Sequence, residues 1–371
     1  MTLLYLFFAS IYIFRFIFFS IGNLKRDYVH KIKRQYSFEN SPFVSIIVPA
    51  RNEEQNIRRC VESIFSSIVN GIQFELIVVD DRSSDTTHKI LLELQNIYPQ
   101  LRIVRITNDE EKLGIKGKPG ALNLGIKESK GEILLMTDAD CTVHPHWLQT
   151  MVASFQESPT IGLVASFTLI NETNFFHKLQ AIEWIQAHTL ARGGVNMNSP
   201  IGCFGNNLAI RKEAYNAVGG FETIPFSVTE DLALLQAIFS SQYDIRYICD
   251  EFATVKTEPT TTVKEFLHQH HRWGVGGLAL KWKAVVLICY SLSMWIAVLL
   301  SAWNQDFVWL GSLIGIKFLT DFLLVNISFN RLNSRHNTWF IYGEIFMILV
   351  EIVIPFTMLK QKVEWKGQIF R

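Results

Sequence analysis

The chain is short of cysteine patterning, of glycine-rich phosphate loops and of surplus charge, and each shortage closes off a class of function. Its five cysteines, Cys60, Cys141, Cys203, Cys249 and Cys289, are scattered, odd in number and free of C-x-x-C spacing. That argues against a disulfide framework and a zinc site, and points to a reducing compartment. Neither G-x-G-x-x-G nor G-x-x-x-x-G-K-S/T occurs, so any phosphate is held by something other than a dinucleotide fingerprint or a P-loop. With 35 Lys and Arg against 34 Asp and Glu the net charge is +1, which gives no case for nucleic acid as a partner. No internal repeat or low-complexity linker divides the 371 residues.

Apolar residues, at 49%, are abundant instead, and they concentrate at the two ends. Residues 3–22 form a run long enough to cross a bilayer, interrupted by Arg15. The basic residues Lys25, Arg26, Lys31, Lys33 and Arg34 follow that run rather than precede it. This predicts a retained anchor over 1–24 with its C-terminal side in the cytoplasm. Residues 284–303, 307–328 and 338–359 are three further runs of spanning length. Lys317, Asp321, Glu344 and Glu351 lie within the last two and are expected to face protein or headgroups rather than acyl chains. Three crossings would put the basic tail 360–371 outside, whereas Lys360, Lys362, Lys366 and Arg371 favour the inside. A cytoplasmic tail is therefore expected, with 338–359 re-entrant or interfacial and Trp365-Lys366-Gly367 near the active-site face.

Between the ends the texture is α/β. FVSIIVPA (43–50), FELIVVDD (74–81), LRIVRI (101–106) and the apolar start of EILLMTDAD (132–140) read as strands. They alternate with helical stretches, one placing Ile57, Val61, Ile64, Phe65 and Ile68 on a single face. Another opens at Lys116, Gly117, Lys118 and Pro119 and is expected to end at Gly131. This alternation predicts a doubly wound, mostly parallel sheet. Three strand ends carry polar groups: Arg51-Asn52-Glu53, Asp80-Asp81, and Asp138 with Asp140. In a parallel sheet they project at one edge, where ligands collect. Two carboxylates one residue apart can share a hard divalent cation, though an isolated D-A-D can equally end a strand and cap a turn. Thr229-Glu230-Asp231 precedes the apolar helix DLALLQAIF and is in itself compatible with an N-cap and first-turn acids.

VSIIVPARNEE (44–54), VVDDRSSDTT (78–87), GKPGALN (117–123), TDAD (137–140), FGNN (204–207), TED (229–231) and QHHRW (269–273) occur in the order found in family 2 glycosyltransferases. Over residues 43–275 the chain resembles the membrane-integrated branch of that family. This branch includes cellulose, chitin and hyaluronan synthases and lipid glycosyltransferases such as ceramide glucosyltransferase. The resemblance implies a GT-A-like fold and transfer of a sugar from a nucleotide diphosphate sugar, UDP-linked in the first instance. It implies that Asp81 accepts the N3 hydrogen of uracil, that Ala50, Asn52 and Glu53 line the nucleotide pocket, and that Lys118 lies near the phosphates. Asp140, with Asp138 beside it, is implied as the ligand of Mg²⁺ or Mn²⁺, Asp138 also contacting the ribose or donor sugar.

On the acceptor side the resemblance implies Asp231 as general base, with Gly205, Asn206, Asn207 and Glu230 beside the acceptor. Gln269, Arg272 and Trp273 match the family's Q-x-x-R-W: Gln269 towards the donor, Arg272 on the leaving diphosphate, Trp273 offering a flat face to the acceptor. His268, His270 and His271 do not share one helical face, which argues against a metal site there. The expected organisation is an anchor at 1–24, a catalytic domain at 40–261, an interfacial helix at 262–283, membrane helices at 284–359 and the tail. A lipid hydroxyl acceptor is expected, with a processive polysaccharide synthase as the alternative and a nucleotide-binding scaffold or transporter as a reading of another class. The expected setting is the bilayer of a bacterial inner membrane with the catalytic domain cytoplasmic.

Overall fold

The computed structural model describes residues 1–25, 41–69, 71–358, 362–365 and 368–370. It divides into two compact units. An α/β unit comprises Asp27–Asn171 and Gly202–Pro259, and a helical unit comprises Met1–Arg26, Glu172–Ile201 and Thr260–Arg371. The stretch 172–201, expected within the catalytic domain, thus belongs to the helical unit.

The α/β unit is built on ten strands: β1 (Val44–Ala50), β2 (Phe74–Asp81), β3 (Leu101–Ile106), β4 (Ile133–Met136), β5 (Thr142–Val143), β6 (Ile161–Ser166), β7 (Thr168–Ile170), β8 (Leu208–Arg211), β9 (Asp244–Ile248) and β10 (Val255–Thr257). Seven form one sheet in the order β3-β2-β1-β4-β8-β6-β9, and β5-β10-β7 form a small second sheet. β1 pairs in parallel with β2 and β4, and β2 with β3. β8 runs antiparallel to β4 and to β6, so the sheet is mixed, with β3, β2, β1 and β4 forming a parallel half. The apolar runs of β1 and β2 are nearly continuous because both faces are covered, which is what a parallel sheet requires. Helix Ile57–Phe65 buries Ile57, Cys60, Val61 and Ile64 against this core; Ile68 lies beyond its end and is exposed. The helix Gly117–Glu128 ends before Gly131. That glycine instead lets the chain pass β1, where a Cβ would sit 2.3 Å from the Ser45 amide nitrogen. Because β1, β2 and β4 run the same way, their following loops leave from one edge.

The helical unit contains four helices long and apolar enough to cross a membrane: Thr2–Leu24, Trp282–Trp303, Phe307–Arg331 and Phe340–Thr357. Two further helices, Phe175–Asn196 and Val263–Gly277, complete it, with a short strand pair β11 (Val363–Trp365) and β12 (Gln368–Phe370). Thr262 and Glu265 close a capping box at the start of Val263–Gly277. The helix expected over 262–283 is broken: it gives way to a 3₁₀ turn at Leu278–Leu280, and Lys281 at φ 55° starts the next helix, so Trp282 belongs to a membrane span. The expectation for Trp365-Lys366-Gly367 falls on Lys366 and Gly367, which lie outside the described residues.

Inside this unit Gly22 and Gly193 bring the first helix and Phe175–Asn196 into backbone contact; a Cβ on Gly22 would lie 2.3 Å from the Gly193 carbonyl oxygen. Buried Arg192 donates to the carbonyls of Asn23 (2.8 Å) and Lys25 (3.1 Å), satisfying groups that the end of the first helix leaves open. Deeper in the bundle Arg15 donates to Asp321 (3.0 Å), and Lys317 to Asp321 (3.0 Å) and Glu344 (2.6 Å). The charged residues of the apolar runs therefore face protein, as expected.

Candidate active site

The first two loops at the sheet edge are tied to each other. Asn52, held at φ 56°, donates its amide to Ser83 Oγ (3.0 Å), and its side-chain oxygen accepts from the Ser84 amide (2.8 Å). Glu53 donates its amide to Thr87 Oγ1 (2.8 Å). Asp80 is an internal brace, fully buried and 2.9 Å from His88. Asp81, at the last position of β2, pairs with Lys112 Nζ at 2.5 Å and with Arg82 Nε at 2.9 Å. Its carboxylate is thereby oriented by two cations, with lone pairs remaining for a further donor.

The loop after β4 carries Asp138 and Asp140. Lys118, one residue into its helix, lies 2.6 Å from Asp138 Oδ1 and 3.2 Å from Glu230 Oε1. A single ammonium therefore joins the loop after β4 to the first residue of helix Glu230–Phe239. Asp140 receives no such partner from Lys118; burial, then the neighbouring charges of Asp138 and Glu53, push its pKa up to about 6. Among the described residues no group of three or more His, Cys, Asp or Glu side chains is arranged to enclose a metal by itself. Hard carboxylate oxygens that repel one another fit Mg²⁺ or Mn²⁺ of the kind held by one or two carboxylates together with substrate phosphates.

Asp231 follows. Its two oxygens accept from the Gly205 amide and the Leu232 amide, each at 2.8 Å. Burial and then Glu230 nevertheless raise its pKa to about 6, despite the opposing pull of Lys118 and these amides. The Thr229 hydroxyl bonds Ser227 at 3.1 Å and does not cap the helix. Gly205 is needed for the close approach, since a Cβ there would lie 3.3 Å from Asp231 Cβ. Asn206 accepts from Thr168 Oγ1 at 2.8 Å. Asn207 does not face an acceptor: fully buried, it accepts from Trp147 Nε1 (2.9 Å) and gives both amide hydrogens to the carbonyls of Phe167 and Ala253. It holds the FGNN loop in place.

One family model, glycosyl transferase family 2, matches residues 45–224, which include both sheet-edge loops and the D-x-D pair. The chain carries a family 2 glycosyltransferase domain. Over 242 residues it is 32% identical to a beta-monoglucosyldiacylglycerol synthase of Trichormus variabilis, covering 64% of this chain and 49% of that protein. It is 25% identical over 236 residues to a poly-beta-1,6-N-acetyl-D-glucosamine synthase of Staphylococcus epidermidis, covering 63% and 54%. The chain thus spans about half the length of these curated relatives. A mannosyltransferase of Pyrobaculum calidifontis, solved with GDP-Man and Mn²⁺, shares the fold at a TM-score of 0.53 and 17% identity, over 88% of this chain and 98% of that one.

The glycosyltransferase domain of the α/β unit thus brings together Ala50, Asn52, Glu53, Asp81, Lys118, Asp138, Asp140, Gly205, Asn206, Glu230 and Asp231 at its loops and helix starts. Gln269, Arg272 and Trp273 are carried by helix Val263–Gly277 of the helical unit, where the Trp273 ring meets Trp184 edge-on at 5.4 Å. His270 there is buried 3.2 Å from Glu183; burial alone would lower its pKa, but the carboxylate outweighs it and the net shift is upward. Lys112 is the residue that the sequence reading missed. It sits in the run DEEK, which looks like a solvated turn, yet it is 1% exposed and aimed at Asp81. Its signal was position, six residues after the end of β3 at the same sheet edge.

Proposed function

We propose that the protein is an inverting glycosyltransferase that moves one sugar from a nucleotide diphosphate sugar, UDP-linked in the first instance, to a lipid hydroxyl at the cytoplasmic face of a membrane. The observation that carries the reading is Asp231, held by two backbone amides at 2.8 Å, poised at a pKa of about 6, and joined through Glu230 and Lys118 to the D-x-D loop. The acceptor hydroxyl gives its proton to Asp231 as its oxygen bonds to the anomeric carbon, the bond from that carbon to the phosphate oxygen breaks, and the nucleoside diphosphate leaves. One displacement inverts the anomeric centre. Mg²⁺ or Mn²⁺ held by Asp140, with Asp138 beside it, would neutralise charge on the departing diphosphate. Lys118 would add positive charge there, Ala50, Asn52, Glu53 and Asp81 would form the nucleotide end, and Gly205, Asn206 and Glu230 would border the acceptor. For Gln269 on the donor, Arg272 on the diphosphate and Trp273 on the acceptor, the support is the match to Q-x-x-R-W.

The beta-monoglucosyldiacylglycerol synthase relative makes an uncharged glycerolipid the first acceptor to try, and the four candidate spans among the described residues support a membrane setting, proposed as a bacterial inner membrane. The poly-N-acetylglucosamine synthase relative supports a second reading, repeated transfer onto a polysaccharide. The deciding experiment gives the detergent-solubilised protein a panel of UDP-sugars, Mn²⁺ or Mg²⁺ and a total lipid extract, and resolves products by mass. A lipid gaining one sugar increment is expected. A ladder of increments would establish the polymer reading, and no metal-dependent UDP release with any donor would overturn both.

A further inference from the structure

A pocket of about 430 Å³ in the α/β unit is bordered by Glu230. One wall is the loop that feeds the Lys118 helix, through Ile115 and Pro119, and the other is the segment that leads to Asp231, through Phe221, Ile224 and Phe226. Glu230 lines it as well, so its polar end adjoins the ion pair with Lys118 and, one residue on, the proposed base. The volume suits an organic ligand of moderate size. The lining mixes apolar side chains with Lys116, Glu222, Thr223, Ser227 and Glu230 in nearly equal measure, and each glutamate already pairs with a lysine. Phe226 is 47% exposed, and neither burial nor a core position accounts for a large aromatic there.

We propose that this pocket seats the acceptor, and that it is shaped for an uncharged lipid alcohol whose hydroxyl points towards Glu230 and Asp231 while its apolar portion lies against Ile224 and Phe226. The inference rests on the glycosyltransferase reading above and adds specificity-determining residues to it. An amphiphile is the occupant that matches a lining of both polar and apolar side chains, in a chain whose described residues include four candidate membrane spans. Phe226 and Ile224 act on acceptor recognition and make no contact with the donor phosphates.

The test uses the full-length protein in nanodiscs with diacylglycerol as acceptor and UDP-glucose as donor, the other UDP-sugars following if it is not used, and compares wild type with Phe226→Ala, Phe226→Leu and Ile224→Asp. The acceptor KM is expected to rise about tenfold or more in Phe226→Ala and Ile224→Asp, with the donor KM moving less than about twofold and Phe226→Leu recovering most of the loss. An acceptor KM within about twofold of wild type in both variants, or a shift in donor KM instead, overturns the pocket while leaving the enzyme a lipid glycosyltransferase. A wild type that extends soluble oligosaccharides and leaves lipid untouched overturns the pocket and the lipid reading together. Because both side chains are exposed or half-buried, truncation leaves no core cavity, and an unchanged thermal midpoint checks that the variants are folded.

Discussion

In the helical unit, Lys317 reaches Asp321 and Glu344 at 3.0 and 2.6 Å while Arg15 and the Tyr12 hydroxyl converge on the same Asp321 at 3.0 and 2.6 Å. In the α/β unit, Lys118 likewise bridges two carboxylates, Asp138 and Glu230, but Asp140 and Asp231 beside them receive no ammonium of their own and are driven towards their protonated forms. The two clusters obey one electrostatic rule and differ in how far compensation is carried. Within the bundle Arg15 and Lys317 meet three acids, and each of Asp321, Glu344 and Glu351 lies within 3.8 Å of a cation. At the sheet edge acids outnumber the cation that joins them, which leaves a deficit of positive charge for a substrate and its metal to fill. Among the described residues, acids without a cation of their own mark the reactive cluster, and acids that each meet a cation mark the one that holds helices together.

Breaking the deficit should have the largest effect. Asp231→Asn keeps the shape and one of the two backbone amide contacts but removes the base, so kcat for sugar transfer should fall by about 10²–10⁴, with nucleotide affinity by calorimetry staying within a few-fold. Full activity in that variant would sink the assignment. Chelation by EDTA should abolish UDP release and added Mn²⁺ restore it, whereas Asp140→Ala should respond to no metal, seen in a metal titration of UDP release.

The bundle cluster should fail differently. Lys317→Met strands Glu344 inside the bundle, while Asp321 keeps Arg15 and Tyr12, and should destabilise the protein by about 3–5 kcal/mol, read as loss of monodisperse material in detergent. Pairing it with Glu344→Gln should recover part of that loss.

A smaller effect comes from pH. Asp231 has a folded-state pKa of about 6, above its value near 3.8 in an unfolded chain, so the folded form binds this proton more tightly. Between pH 6 and 4 its contribution to stability therefore grows with acid while the base is lost. Activity should fall below pH 6 as the melting temperature of Asp231→Asn loses its advantage over wild type. The smallest is Gly205→Ala, which presses on Asp231 Cβ at 3.3 Å; a loss of several-fold in kcat with little change in melting temperature is expected.

Strands β1, β2 and β4 and the carboxylates at or just beyond their ends were legible because a strand buried on both faces is written as an apolar run that stops at charge. Helix Phe175–Asn196 was not, since His177, Gln180, Gln186, His188 and Arg192 are buried along it and erase the amphipathic stripe. Burial holds the His188 pKa down near 3, so that ring stays neutral and behaves as core. Antiparallel β8 was hidden by its four-residue length, and Asn207 was misread because its sequence context points at the acceptor while its amide is spent on three buried partners. Glu230 and Asp231 were found by motif, but their joining to Asp138 through Lys118 is tertiary and has no signature along the chain.

The helix Phe175–Asn196 lies in sequence between β7 and β8, inside the stretch matched by the family model, yet belongs to the unit of the membrane helices. The polypeptide therefore switches unit at four places, near residues 26, 171, 201 and 259. Trimming both termini cannot yield a water-soluble catalytic fragment, because the remainder would still carry this helix with Arg192 deprived of the carbonyls of Asn23 and Lys25. Biochemistry free of lipid would need residues 172–201 replaced by a short polar bridge. The first helix therefore packs against a helix whose sequence begins about 150 residues later.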